Sequence, residues 1–129
     1  MHRRPLIELL RRYAGAHAGE RPLVARFAAF VDGHADCLLR SCVEGHITAS
    51  AWIVDAAGRC LLTHHRQLGK WLQLGGHVDG ETEVQLAALR EAQEESGMHG
   101  FTFVGTAAGA VPLPLDLDVH PIPQRGDEP

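Results

Sequence analysis

The chain has 129 residues and a mass of 14.0 kDa, enough for one compact domain and too little for two full ones. It is 45% hydrophobic and 22% charged, and no apolar run approaches the ~20 residues that cross a bilayer, so no membrane span is expected. A net charge of -4, with Lys70 as the one lysine, leaves no concentrated basic face for a nucleic-acid backbone, so large nucleic acids are excluded as partners.

The start of the chain, residues 1–12, is basic, but Glu8 and the lack of serine argue against a transit peptide. It also lacks the uninterrupted apolar core and small-residue cleavage site of a secretory signal. Cys37, Cys42 and Cys60 are odd in number and contain no C-x-x-C pair, which fits thiols kept reduced in cytoplasm. Leu6, Leu9, Leu10, Tyr13 and Ala14 recur at helical spacing behind Pro5, so the chain is expected to open on an amphipathic helix, with Gly15 and Gly19 about its end. A second helix is predicted from Pro22, through Leu23, Phe27, Phe30 and Val31, to Gly33. The two make a helical hairpin extension over residues 1–45, ahead of a main domain over 46–129.

From Ile47 the period becomes two. Ile47, Ala49, Ala51 and Ile53 alternate with Thr48, Ser50, Trp52 and Val54, then Asp55 to Gly58 reads as a turn into a second strand, Arg59 to His64. Residues 65–79, with Gly69, Gly75 and Gly76, read as a loop. A helix is predicted next, opened by a capping box of Thr82 with Gln85 and closed by Gly97, which takes the left-handed conformation of a carboxy-terminal cap. Phe101 to Val104 reads as a short strand. Leu113, Leu115, Leu117 and Val119 alternate as a later one, placed at a sheet edge by its prolines.

On the helix ending at Gly97, Glu91, Glu94 and Glu95 stand at i, i+3 and i+4 and fall within an arc of ~100°. Val84, Ala87 and Ala88 share that arc, leaving room beneath the acids, while Leu86 and Leu89 are expected to face the core from the other side. A solvated acidic face is the ordinary explanation of such a cluster. Against it, two of the acids occupy the last turn, where the helix dipole favours cations and adjacent like charges repel. The natural compensator is a hard divalent cation such as magnesium, with manganese as its substitute, clamping phosphate oxygens and acidifying a water. Arg90 is positioned to orient the cluster through Glu94 or an acid of the preceding loop.

The run Arg90-Glu91-Ala92-Gln93-Glu94-Glu95-Ser96-Gly97-Met98 resembles the end of the Nudix box, and Gly76 stands fourteen positions before Arg90, completing its 23-residue length. The resemblance implies an α/β fold, an α/β/α sandwich with a mixed sheet, carrying a hydrolase of nucleoside diphosphate derivatives. It also implies magnesium ligation by Glu91, Glu94, Glu95 and the carbonyl of Gly76, with Arg90 in the catalytic set. One position departs: Thr82 replaces the family's earlier glutamate, with Glu81 beside it, which puts the acid partner of Arg90 in question. Against the family's full length the chain reads as shortened after Met98, and the edge strand left there predicts a twofold homodimer.

His65, Arg66 and Lys70 form a basic stretch suited to substrate phosphates, with an ordinary surface loop as the alternative. Trp71 reads either as a base-stacking ring or as a core plug. Asp116, Asp118 and His120 are expected to face solvent. Two rival functions stand beside the hydrolase: a non-catalytic nucleotide-binding module, and a zinc-stabilised interaction protein using His34, Cys37, Cys42 and His46.

Overall fold

The computed structural model describes residues 3–65, 69–104 and 110–120. Helix α1 spans Arg4–Ala16 and α2 spans Arg21–Gly33, joined by a single 3-10 turn, Ala18–Glu20. Each helix has a proline in its first turn, where the missing N–H removes a donor that would lack an intrahelical partner. The α1 stripe is Leu6, Leu9, Leu10 and Tyr13, all buried as its spacing predicts. In α2 the buried residues are Val24 and Val31, so the helix is turned to bury Val24 and leave Leu23 only half-buried. The Tyr13 hydroxyl donates to Glu20 Oε1 at 3.1 Å, and Arg3 donates to the carbonyl oxygens of Val31 and Asp32 at the end of α2. These bonds tie the two helices at both ends.

Among the described residues six short strands follow: β1 (Thr48–Ala51), β2 (Ile53–Val54), β3 (Cys60–Leu61), β4 (Thr63–His65), β5 (Lys70–Leu72) and β6 (Leu74–His77). They form three antiparallel ladders, β1 with β6, β2 with β3 and β4 with β5. Single residues, Trp52, Leu62 and Gln73, divide what would otherwise be three longer strands. If those three were straight, two successive antiparallel pairings would make β1 and β6 parallel. They are antiparallel instead, so the chain bends at these breaks and the ladders cannot share one flat sheet.

Residues 65–79 are therefore not the loop that their glycines suggest, since β5 and β6 run through them. The turn between β2 and β3 is as expected: Asp55 accepts from the amides of Ala57 and Arg59, and Gly58 sits at φ 82°. Phe101 to Val104 and residues 113–119 form no strand; Leu117 instead packs against the core as irregular chain.

Helix α3 spans Val84–Ser96 and ends on Gly97 in the left-handed region, φ 71°. The predicted capping box is absent. Glu83 is the N-cap, no side chain caps the helix, and Gln85 is drawn to Glu83 Oε2 at 2.8 Å. The packed face also differs from the expected one: Ala87 and Ala92 are buried, whereas Leu86 is 45% exposed. Small alanines let α3 approach β1 and β6 closely, and that contact selects the face. The core cluster joins Leu6, Leu10 and Tyr13 of α1 to Val24 and Val31 of α2, to Cys37 and Leu38, and to Val78 and Ala87. The helical pair and the α3 region thus share one apolar interior.

Candidate active site

The site lies where β6 meets the last two turns of α3. Gly76 is needed there because a Cβ at this position would run into the Glu91 carboxylate, with Glu91 Cδ at 3.2 Å. Beside it the Gly75 amide donates to Glu95 Oε1 at 2.8 Å. Both glycines are thus strand residues: the missing side chain of Gly76 admits Glu91, whereas that of Gly75 admits the β1 backbone at Ala49 and Ser50 and its amide holds Glu95.

Arg90 spans the same junction. Its Nη2 donates to the His77 carbonyl at 2.7 Å while its Nε lies 3.8 Å from Glu94 Oε1. The guanidinium therefore ties the helix to the end of β6 and faces one acid of the cluster. Among the described residues Arg90 makes no ion pair with Glu81; a main-chain carbonyl serves in its place.

Glu91 is the acid whose proton affinity these surroundings raise. Burial pushes the Glu91 carboxyl above its ordinary value, a hydrogen bond with Glu94 adds to this, and the charges of Glu95 and Glu94 act in the same sense. Arg90 opposes the shift without cancelling it. Glu94 and Glu95 are exposed and Glu91 half-buried, so the patch opens to solvent on one side.

Carboxylates and a main-chain carbonyl are the oxygen donors that a hard divalent cation takes, and the Cβ-free cradle at Gly76 leaves the approach open, so the residues fit such an ion. As the side chains stand, Glu95 turns to the Gly75 amide and Glu94 to Arg90. Among the described residues no group of three or more His, Cys, Asp or Glu side chains is gathered about one point.

That statement also covers the tetrad of the zinc reading, which does not assemble. His34 Nδ1 is engaged with the Phe30 carbonyl at 2.9 Å, and its ring stacks on Phe30. Cys37 is fully buried, and burial pushes the Cys42 thiol up to about 11. His46 packs against His77, ring centroids 5.0 Å apart.

Of the basic stretch, Lys70 begins β5 opposite His65 at the end of β4 and is exposed. Arg66 lies outside the described residues, as does the side chain of His65. Asp116, Asp118 and His120 are exposed as expected, on irregular chain.

Three contributors had no signal in the sequence. Arg40 grips Asp79 with two bonds of 3.1 and 2.9 Å, Gly80 N–H donates to the Leu38 carbonyl, and the Gly75 amide holds Glu95. The first two fasten the 34–46 segment to the turn after β6, where Asp79 adopts φ 49°. All three link positions 20 or more residues apart, or depend on a backbone atom that no residue type announces.

A family model described as NUDIX domain matches residues 45–113. Neither the curated proteins nor the solved structures contain a match.

Proposed function

The chain belongs to the Nudix family, whose members act as hydrolases of nucleoside diphosphate derivatives, and from that premise we propose that it is a divalent-metal-dependent pyrophosphohydrolase. The bond cut is a phosphoanhydride in a nucleoside diphosphate derivative or nucleoside triphosphate. The observation that carries this reading is the junction of Gly75 and Gly76 with Glu95 and Glu91, which brings acids from the end of a helix onto a strand stripped of side chains.

Glu91, Glu94, Glu95 and the Gly76 carbonyl would hold magnesium, or manganese in its place. When bound, that ion neutralises phosphate oxygens and acidifies the attacking water. The protein's own part is orientation and proton handling. Arg90, anchored on the His77 carbonyl, keeps Glu94 beside Glu91. One of the three acids would also assist the base that takes a proton from the attacking water. His65, Arg66 and Lys70 would meet the substrate phosphates.

The fuller picture in this proposal is an α/β/α sandwich with a mixed sheet, residues 46–129 as the Nudix-like unit behind the helical pair, a cytoplasmic setting and a twofold homodimer. No described helix is long and apolar enough to cross a membrane. The test is a panel of nucleoside diphosphate and triphosphate derivatives with products identified, run with and without magnesium. Magnesium-dependent release of a phosphate-containing product supports the reading. Tight binding without turnover supports the second one, a non-catalytic nucleotide binder, which is favoured by Thr82 in place of the family's earlier glutamate.

A further inference from the structure

The β1–β6 ladder ends at the pairing of Thr48 with His77, next to Gly76, so from Val78 onward the chain needs other supports until α3 begins at Val84. Val78 to Glu81 is a tight turn. The Glu81 amide donates to the Val78 carbonyl at 2.9 Å, and the two central residues, Asp79 and Gly80, have φ 49° and 86°. Positive φ at both central positions is what a type I′ turn requires. Glycine adopts it freely, whereas aspartate does so at some cost and needs its surroundings to hold it there.

Those surroundings are the 34–46 segment. Val78 is fully buried in the same core cluster as Leu38, and the Gly80 amide donates to the Leu38 carbonyl at 2.9 Å. Arg40 completes the hold on this turn, its Nε and Nη2 donating to the two carboxylate oxygens of Asp79 at 3.1 and 2.9 Å. The segment is itself stiffened by short turns: the amides of Cys37, Leu39, Cys42 and Gly45 each donate to the carbonyl three residues back, and the Ile47 amide donates to the Cys37 carbonyl.

Arg40 and Asp79 are both exposed, and an ion pair of that kind contributes little to global stability. Its place gives it another use. The pair grips the turn just after Gly76, while Arg90 of α3 holds the His77 carbonyl between them. Two guanidinium clamps thus meet on the exit of β6, one from the acid-bearing helix and one from a residue ahead of the 45–113 stretch that matches the family model.

We propose that Arg40 is a positioning residue: its grip on Asp79 fixes the turn that leaves β6, and through it the placement of the Gly76 carbonyl against the α3 acids. This rests on the hydrolase reading above and gives the 34–46 segment a part in it. Where groups must converge on one ion, a displacement of about 1 Å costs roughly a hundredfold in rate, far more than an exposed ion pair is worth in stability.

The experiment titrates manganese alone into the unsubstituted protein, Arg40→Ala, Asp79→Gly and the double variant, and then measures thermal unfolding and turnover of a nucleotide substrate. Asp79→Gly removes the carboxylate but leaves a residue at ease with positive φ, so the turn folds without the grip. Manganese affinity and kcat should each fall about tenfold in both single variants, with KM little changed and melting temperatures within a few degrees. The double variant should fall no further than either single one, because the two residues act as one unit. Arg59→Ala removes an exposed pair with Asp55 in the β2–β3 turn and should change neither quantity. Unchanged manganese affinity in Asp79→Gly, losses that add in the double variant, an equal loss in Arg59→Ala, or no manganese binding by the unsubstituted protein overturns the positioning role. Weakened manganese binding in the Arg40 and Asp79 variants, with no turnover of any nucleotide by any form, upholds that role and removes the hydrolase reading. Turnover at one rate by all forms does the reverse.

Discussion

Glu91 occupies the space that a side chain at position 76 would need. Next to it, a Cβ on Gly75 would lie 2.5 Å from Ser50 Cα and 2.6 Å from the Ala49 carbonyl oxygen. The two glycines therefore answer to different neighbours, one to the end of a movable side chain and the other to fixed backbone. Gly76→Ala should leave the fold nearly intact, because Glu91 can swing away, and should lower kcat roughly a hundredfold as that acid is displaced. Gly75→Ala should destabilise by about 1–3 kcal/mol, because the β1–β6 ladder must open to admit it. Thermal unfolding beside activity distinguishes them, and equal stability losses would refute the contrast.

The acids carry the second prediction. Glu94→Gln and Glu95→Gln should each remove most turnover, roughly a hundredfold or more, while the fold persists. Glutamine at position 95 keeps an oxygen for the Gly75 amide, so the strand–helix tie survives. Chelation should stop hydrolysis and magnesium restore it. Full activity in both variants would remove these residues from the site.

Glu91 makes a distinct claim in the metal-free protein. Its folded pKa is raised by burial and by its acidic neighbours, so any stability it contributes is present at low pH and lost as pH rises through the folded value. At neutral pH Glu91→Gln should therefore raise the melting temperature of the chelated protein while abolishing activity. A lower melting temperature would show that the ionised carboxylate is held by donors other than those seen.

How far the site could be read in advance depended on whether its determinants were local. The Gly97 stop, and the placing of the three acids and Arg90 together on α3, follow short-range spacing and are legible. Gly75 and Gly76 suggest a loop because glycine is a local turn signal, whereas in the fold they answer to Ser50 and Glu91, both distant in sequence. The same applies to Leu86. An arc drawn on an isolated helix assigns leucine to the core, but contact with β1 and β6 selects the alanine face, which permits closer approach. Thr82 and Gln85 had the spacing of a capping box, yet Glu83 took the cap position and drew Gln85 to itself. The strand expected over 113–119 had correct alternation but no ladder partner, and alternation alone supplies no hydrogen bonds.

His46, beside His77 of β6, predicts how stability follows pH. Its Nε2 is buried with no hydrogen-bond partner among the described residues, and its ring lies against His77. Burial, then His77 and Arg40, lower its pKa from 6.5, while Asp79 opposes them. The unfolded chain thus binds a proton more readily than the fold does. The contribution is present above about pH 6.5 and lost as pH falls toward the folded value. Unfolding free energy should decline as pH falls below about 6.5, and His46→Phe should flatten that decline. An unchanged slope in the variant would assign it to other groups.

The last prediction concerns apolar surface. A groove of ≈ 760 Å³ runs between β1–β2, the Ala88 and Leu89 side of α3, and the irregular chain around Phe103 and Leu113. Val104 is 83% exposed and Leu115 76%, with Trp52 at 54% along the same rim. Contiguous apolar surface of this kind is uncommon on a lone soluble domain and favours association. The homodimer expected from the sequence would have used a strand edge at 113–119, but that ladder does not form, so burial of side chains in the groove is the remaining driving force. Light scattering at micromolar concentration should report a mass twice that of the chain. Leu115→Lys should shift it toward monomer, since a charge at the rim resists burial. The groove that Leu115 lines includes none of Gly76, Glu91, Glu94 and Glu95, so turnover per chain should change little. A monomer mass in the unsubstituted protein would refute association through this face.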